Sequence, residues 1–146
     1  MAKHLGARVI ATTSTANVIY VRSLGADQVI DYIKEDFTEV APDVDAVFDT
    51  VGGEVATKSF EVIKPDGRAA FIGSGAKAPE SPRRDVSSLR PAVGRDRQHL
   101  QRIGELVALG AVRVPETTVF PLAEAAAAHR ISQSRHFRGK LLLRVG

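Results

Sequence analysis

Four hydroxyl-bearing residues in a row, Thr12-Thr13-Ser14-Thr15, end the β-branched run that starts at Arg8 and Val9. A strand that ends in hydroxyls and turns into a helix suits an anion, because the first N–H groups of a helix lack partners and its dipole favours negative charge. No carboxylate stands there to accept from a ribose 2′-hydroxyl, the usual acidic signature of a dinucleotide fold. Ser14 also reads as a plain N-cap, and Tyr32 as a half-buried aromatic. Two further stretches, Thr50-Val51-Gly52 and Gly73-Ser74-Gly75, each follow an apolar run. In open α/β sheets, ligands bind at such strand ends, where small residues let them approach the backbone. Ordinary turn glycine is the plainer account. Gly139-Lys140, before the last apolar run, is on its own only a charged strand start.

Other chemistries fail on spacing. Tyr20 leads to Leu24 and Tyr32 to Asp36, so no Tyr-x-x-x-Lys pair exists. Gly73-Ser74-Gly75 is not a nucleophile elbow, and no phosphate-binding P-loop can be formed. His4, His99, His129 and His136 lack metal-site spacing, and zero cysteines remove disulfides and thiolate ligands within this chain. Asp49 could be a base but reads better as a turn former.

The elements that would position these residues follow from periodicity. Met1–Leu5 resembles a last helical turn stopped by Gly6. Strands are expected at 8–12, 28–30, 45–49, 68–72, 117–120 and 140–145. Helices are expected from Ser14 to Gly25, over 35–40, 54–63, 95–109 and 122–133. Strand, helix, strand at this spacing means right-handed crossovers and a parallel sheet. Residues 73–85 are rich in Gly, Pro, Ser and Arg and read as a loop.

Composition bounds the rest. The chain has 146 residues, 44% hydrophobic and 25% charged, with a net charge of +3. Its apolar runs are far shorter than the roughly twenty residues of a membrane span. With no secretory core at the N-terminus, a cytoplasmic setting is expected. Residues 1–73 hold 7 Lys+Arg against 11 Asp+Glu, whereas 74–146 hold 13 against 6. The excess includes Arg83, Arg84, Arg90, Arg95, Arg97 and Arg102, a cluster that could meet nucleic acid or an anionic ligand. A solvated loop and helix face is the preferred reading, since no aromatic interleaves the arginines for base stacking.

Taken in order, Gly6-Ala7-Arg8-Val9-Ile10-Ala11-Thr12, Leu24-Gly25-Ala26-Asp27-Gln28-Val29-Ile30-Asp31-Tyr32 and Phe48-Asp49-Thr50-Val51-Gly52-Gly53 resemble the cofactor domain of medium-chain dehydrogenases/reductases. Gly67–Gly73, Phe120-Pro121-Leu122, Ala126–His129 and Arg138-Gly139-Lys140-Leu141-Leu142-Leu143 continue the pattern along essentially the whole chain. The likeness is strongest to the quinone oxidoreductase-like, zinc-independent branch.

That resemblance implies an α/β fold: a Rossmann-like doubly wound parallel sheet over 1–114, then a helix-strand return segment at 115–146. It also implies that the first strand, its glycine-rich turn and a GroES-like catalytic domain are missing, as in a truncated product, a shortened gene model or half of a split enzyme. The missing strand is central in the order 3-2-1-4-5-6, so two strands should face a gap. The implied cofactor is NADPH, contacted by Thr13, Ser14, Asn17, Tyr32, Val51, Gly52, Gly73, Ser74, Gly139 and Lys140. Ser14 and Tyr32 match positions that contact the 2′-phosphate. Asn17 stands where some relatives carry lysine, which would weaken phosphate affinity unless Arg22 compensates. No residue is assigned a catalytic role. The implied activity is reduction of quinones or α,β-unsaturated carbonyls, with this chain alone expected to be inactive. The alternative is a non-catalytic module that binds NADP(H) or a partner. Association through exposed sheet edges, as a homo-oligomer or with a partner, is expected; nucleic acid and membrane are not expected partners.

Overall fold

In the computed structural model, residues 1–41, 43–134 and 137–146 are described. His136, one of the histidines weighed above, lies outside them. The chain divides into two compact units, Met1–Gln101 and Arg102–Gly146.

The first unit opens with a 3-10 turn, Ala2–Leu5, which Gly6 closes in the left-handed region at φ 84°. Lys3 does not serve that turn's dipole alone: its Nζ lies 2.9 Å from an Asp27 carboxylate oxygen. Asp27 also accepts from the Val9 N–H at 2.6 Å. That N–H and the Lys3 ammonium hold the Asp27 carboxyl below its ordinary 3.8. Strand β1 (Ile10–Thr13) pairs in parallel with β2 (Gln28–Asp31), Thr13 opposite Asp31. Between them run a 3-10 turn, Thr15–Asn17, and a short helix α1 (Val18–Ser23).

The other strands of this unit form a second parallel sheet, β3 (Val44–Asp49), β4 (Ile63–Phe71) and β5 (Ser87–Leu89), in that order. Helix α2 (Phe37–Val40) precedes β3, and α3 (Gly53–Lys58) with the 3-10 turn Ser59–Val62 precedes β4. Asp36 caps α2 through the Thr38 N–H at 3.0 Å and pairs with Lys58 of α3 at 2.8 Å. The Lys58 bond and then that cap pull the Asp36 carboxyl down to about 2. Periodicity ran the helix before β4 to residue 63 and began the strand at 68. In fact Ile63 already pairs with Val44, and Pro65-Asp66-Gly67 forms a bulge before Ala46 pairs with Arg68. The bulge holds Asp66 at φ 63°, and a Cβ on Gly67 would strike the Ile63 side chain.

The core gathers on β4. Ala56, Phe60, Ile63, Ala69, Phe71 and Val86 are buried together. The rings of Phe60 and Phe71 lie 5.4 Å apart and tilted by 43°, a favoured aromatic geometry. Two of the cluster arginines reach backbone carbonyls at this core. Arg83 donates to the Phe60 and Ile63 carbonyls at 3.3 and 2.5 Å and pairs with Asp85 at 2.6 Å. Arg90 reaches the Phe71 and Ile72 carbonyls at 3.4 and 3.3 Å.

Helix α4 (Arg97–Ala108) starts in the first unit and ends in the second. The second unit then pairs β6 (Thr117–Pro121) in parallel with β7 (Lys140–Arg144) and carries α5 (Ala125–Gln133). The architecture is thus α/β with parallel pairing throughout, but the strands form three sheets rather than one continuous doubly wound sheet. Within the first unit the physical reason is direct. Among the described residues no strand pairs with both β1 and β3, so nothing carries the ladder across. No helix among the described residues is long and apolar enough to cross a membrane.

Candidate functional site

The predicted site residues fall into three groups. The first surrounds the turn after β1. The Thr13 carbonyl accepts from the Tyr32 N–H at 3.0 Å, which ties this turn to the end of β2. Ser14 occupies an N-cap position, yet its side chain makes no capping bond. Instead the Asn17 amide donates to Ser14 Oγ at 3.3 Å. That leaves the Ser14 hydroxyl proton free to donate outward. Tyr32 is 54% exposed, so the half-buried reading of its ring is corrected. It follows directly after β2 and is exposed, so a ligand can reach it. The dipole part of the expectation is weakened, because the turn leads first into 3-10 geometry and then into a helix of six residues.

A residue that the sequence did not single out holds this turn. Asp31 is 8% exposed and accepts from Thr15 Oγ1 at 2.6 Å and from the Ile33 N–H at 3.2 Å. Lys34 Nζ lies 3.5 Å from the same carboxylate oxygen that Thr15 binds. The Thr15 hydroxyl above all, with the Ile33 N–H and Lys34, holds the carboxyl below its ordinary 3.8 against the opposing pull of burial. The signal for it was the parallel register, Thr13 opposite Asp31, which spacing alone does not give.

The second group lies after β3 and β4. Asp49, 4% exposed, accepts from the Val51 and Gly52 N–H groups at 3.0 and 2.7 Å. It is a turn former, as its place at a strand end suggested. Val51 is 66% exposed. A Cβ on Gly52 would come within 2.6 Å of the Gly73 carbonyl oxygen, and one on Gly73 within 2.8 Å of the Thr50 and Val51 carbonyl carbons. The two turns therefore press backbone on backbone, a packing reason for both glycines. Ser74 turns its hydroxyl to the Lys77 carbonyl at 2.9 Å. A cleft of about 320 Å³ reaches Thr12 of β1 on one side and Asp49, Thr50 and Val51 on the other.

The third group, Gly139 and Lys140, belongs to the second unit. The Lys140 N–H donates to the Glu116 carbonyl at 2.8 Å, starting the β6–β7 ladder. Gly139 has φ 98°, and a Cβ there would collide with the same carbonyl. Beside it lies a cavity of about 950 Å³ whose lining includes His129, Arg130 and Lys140.

Residues 24–143 match the family model of zinc-binding dehydrogenases. The chain belongs to this family. Its likeness lies with the quinone oxidoreductase-like members of the medium-chain dehydrogenases/reductases. A 2-haloacrylate reductase from a Burkholderia species is 33% identical over 97% of this chain and 49% of its own length. The solved quinone oxidoreductase of Coxiella burnetii is 31% identical with a TM-score of 0.85, over 99% of this chain and 47% of that one. The Escherichia coli quinone oxidoreductase, solved with NADPH, is 27% identical with a TM-score of 0.80, over 99% and 51%. The chain thus spans about half the length of these relatives. The family's description speaks of zinc. This zinc-binding dehydrogenase homologue contains no cysteine, and among its described residues no three His, Asp or Glu side chains gather to hold a metal ion.

Proposed function

We propose that this chain is the cofactor-binding portion of an NADPH-dependent oxidoreductase that reduces quinones or α,β-unsaturated carbonyl compounds. One observation carries the cofactor reading. At the C-terminal end of a parallel strand, the turn Thr13–Asn17 presents hydroxyls and no carboxylate of its own. Ser14 keeps a proton to donate to a phosphate oxygen, and Asn17 fixes its hydroxyl. Thr15 is bound to Asp31, which sets the turn's shape and satisfies the nearby carboxylate. The exposed Tyr32 ring borders the same turn. When bound, the cofactor supplies the hydride. The residues of this chain bind and orient it, and none is assigned a proton transfer. The named relatives support the substrate class, since haloacrylate and quinone both carry a C=C conjugated to a carbonyl group.

A second reading is a non-catalytic module that binds NADP(H) or a partner. The edges of β1 and β3 that pair with no strand among the described residues favour it. Calorimetric titration of the purified chain with NADPH and with NADH tests the first proposal. NADPH is expected to bind at least about tenfold more tightly, the scale of one hydrogen bond to a charged group. Equal affinities, or saturation by neither, would overturn the NADPH assignment.

A further inference from the structure

We infer that Lys34 sets the preference for the phosphorylated cofactor, its ammonium answering the 2′-phosphate from the β2 side of the turn after β1. This rests on the cofactor reading above and adds to it a residue outside the set expected from the sequence. The need for such a residue comes from charge. A phosphate monoester carries about −1.5 to −2 at neutral pH, whereas Ser14, Asn17 and Tyr32 are all neutral. A hydroxyl and an amide can orient an anion, but they cannot offset its charge. The carboxylate beside this turn makes the need greater. Asp31 is bound to Thr15 and, left bare, would repel the phosphate that Ser14 is placed to receive.

Local folding brings Lys34 to that acid. The N–H groups of Lys34 and Glu35 both donate to the Asp31 carbonyl, at 2.8 and 2.9 Å. The Ile33 N–H donates to the Asp31 carboxylate at 3.2 Å. Residues 31–35 therefore wrap around Asp31, and Lys34 Nζ stands 3.5 Å from the carboxylate oxygen that accepts the Thr15 hydroxyl at 2.6 Å. A single oxygen thus links the ammonium to the Thr13–Asn17 turn. The contact is longer than an ordinary N–H···O bond. It offsets the Asp31 charge without using up the ammonium, which has three donors. The Lys34 side chain is 66% exposed and that of Asp31 only 11%. The acid is shielded and the cation is open, the arrangement that favours an incoming anion. Asp36, two residues on, is taken by Lys58 at 2.8 Å and makes no claim on Lys34. The Tyr32 N–H, bound to the Thr13 carbonyl at 3.0 Å, ties this segment to the turn it would serve.

The test is calorimetric titration of the whole chain with NADPH and with NADH, in the unaltered protein and in Lys34→Gln, Lys34→Glu and Lys34→Arg. Lys34→Gln should weaken NADPH by about tenfold. Lys34→Glu should weaken it by about fiftyfold or more, since it adds repulsion. NADH should change by about twofold at most in each, and Lys34→Arg should keep the preference for NADPH. Added salt should erode the NADPH advantage of the unaltered chain more than that of Lys34→Gln, because the lost contact is the charged one. The side chain is exposed, so thermal melting of the variants should match the unaltered chain and separate a lost phosphate contact from a lost fold. Equal weakening of NADPH and NADH in Lys34→Gln would make the lysine a support of the turn's shape and overturns the inference. So does a full NADPH preference in Lys34→Gln, and in that case the cofactor reading itself stands. An unaltered chain that binds both cofactors equally, or neither, overturns the cofactor reading and the inference with it.

Discussion

The turn after β1 and the turn after β3 stand at the same end of two parallel strands and are held in opposite ways. After β3 the clamp is internal. Asp49 reaches forward from the strand's own last residue, takes two N–H groups of its turn, and lies buried under glycines that leave no room for a Cβ. After β1 the clamp is external. Asp31 reaches across from the neighbouring strand to Thr15, Asn17 donates to the Ser14 hydroxyl oxygen and leaves its proton to donate, and the Tyr32 ring is exposed. A turn whose polar groups all point inward is accounted for by folding. One that keeps donors pointing outward, while a neighbour carries the cost of its shape, has capacity left for a ligand. The same glycine-and-hydroxyl composition therefore means different things at the two places.

Removing the internal clamp should give the largest effect. Asp49→Ala leaves two turn N–H groups without their acceptor, at about 1–3 kcal/mol for each that stays dry. A stability loss of roughly 2–5 kcal/mol is expected from urea denaturation. Asp49→Asn should restore most of it, because an amide oxygen can accept both bonds. If Asp49→Ala melts like the unaltered chain, the two turns do not differ in the way described.

Removing a donor from the externally held turn should cost binding and little stability. Ser14→Ala is expected to weaken NADPH by about tenfold to a hundredfold, the range of a hydrogen bond to a charged group. NADH should be affected far less, and the melting temperature should stay within about a degree or two. Thr15→Val tests the support beneath it. It leaves Asp31 with fewer partners and should lower NADPH affinity by a smaller factor, through the shape of the turn. Equal losses for NADPH and NADH in Ser14→Ala would move the phosphate contact elsewhere.

How much of this could be read in the sequence depended on how far each contact reaches along the chain. Gly6 and Gly25 as stops, Asp49 as a turn former and the alternation of strands and helices are local, and they stand as read. Asp31 escaped because its partner lies sixteen residues away and becomes a neighbour only once β1 and β2 are in register. The bulge at Pro65-Asp66-Gly67 looked like a complete turn because the sequence does not show Val44 pairing with Ile63 ahead of it. The arginines looked like a charged face, yet Arg83 and Arg90 each turn one guanidinium nitrogen to backbone carbonyls at the core, which no charge count can show. The division into three sheets is a fact about pairing, and pairing is where single-chain periodicity stops.

Acid gives the smallest effect and sharpens the comparison last. Asp31 and Asp36 both have carboxyls held below 3.8, Asp31 chiefly by the Thr15 hydroxyl and Asp36, at about 2, chiefly by Lys58. A carboxyl whose folded value is depressed binds fewer protons in the folded chain than in the unfolded one. Its stabilising share is therefore complete above the ordinary value and is lost as pH falls toward the folded value. The urea midpoint should hold steady from neutral pH to about 5 and then fall as the pH drops from about 4 to 2. In Asp36→Ala the fall should be shallower, and what remains should follow the other carboxyls held below 3.8, Asp31 and Asp27 among them. A midpoint that rises over that interval, or that falls just as steeply without Asp36, would show that these two carboxylates do not hold α2 and the β1 turn in the way their contacts indicate.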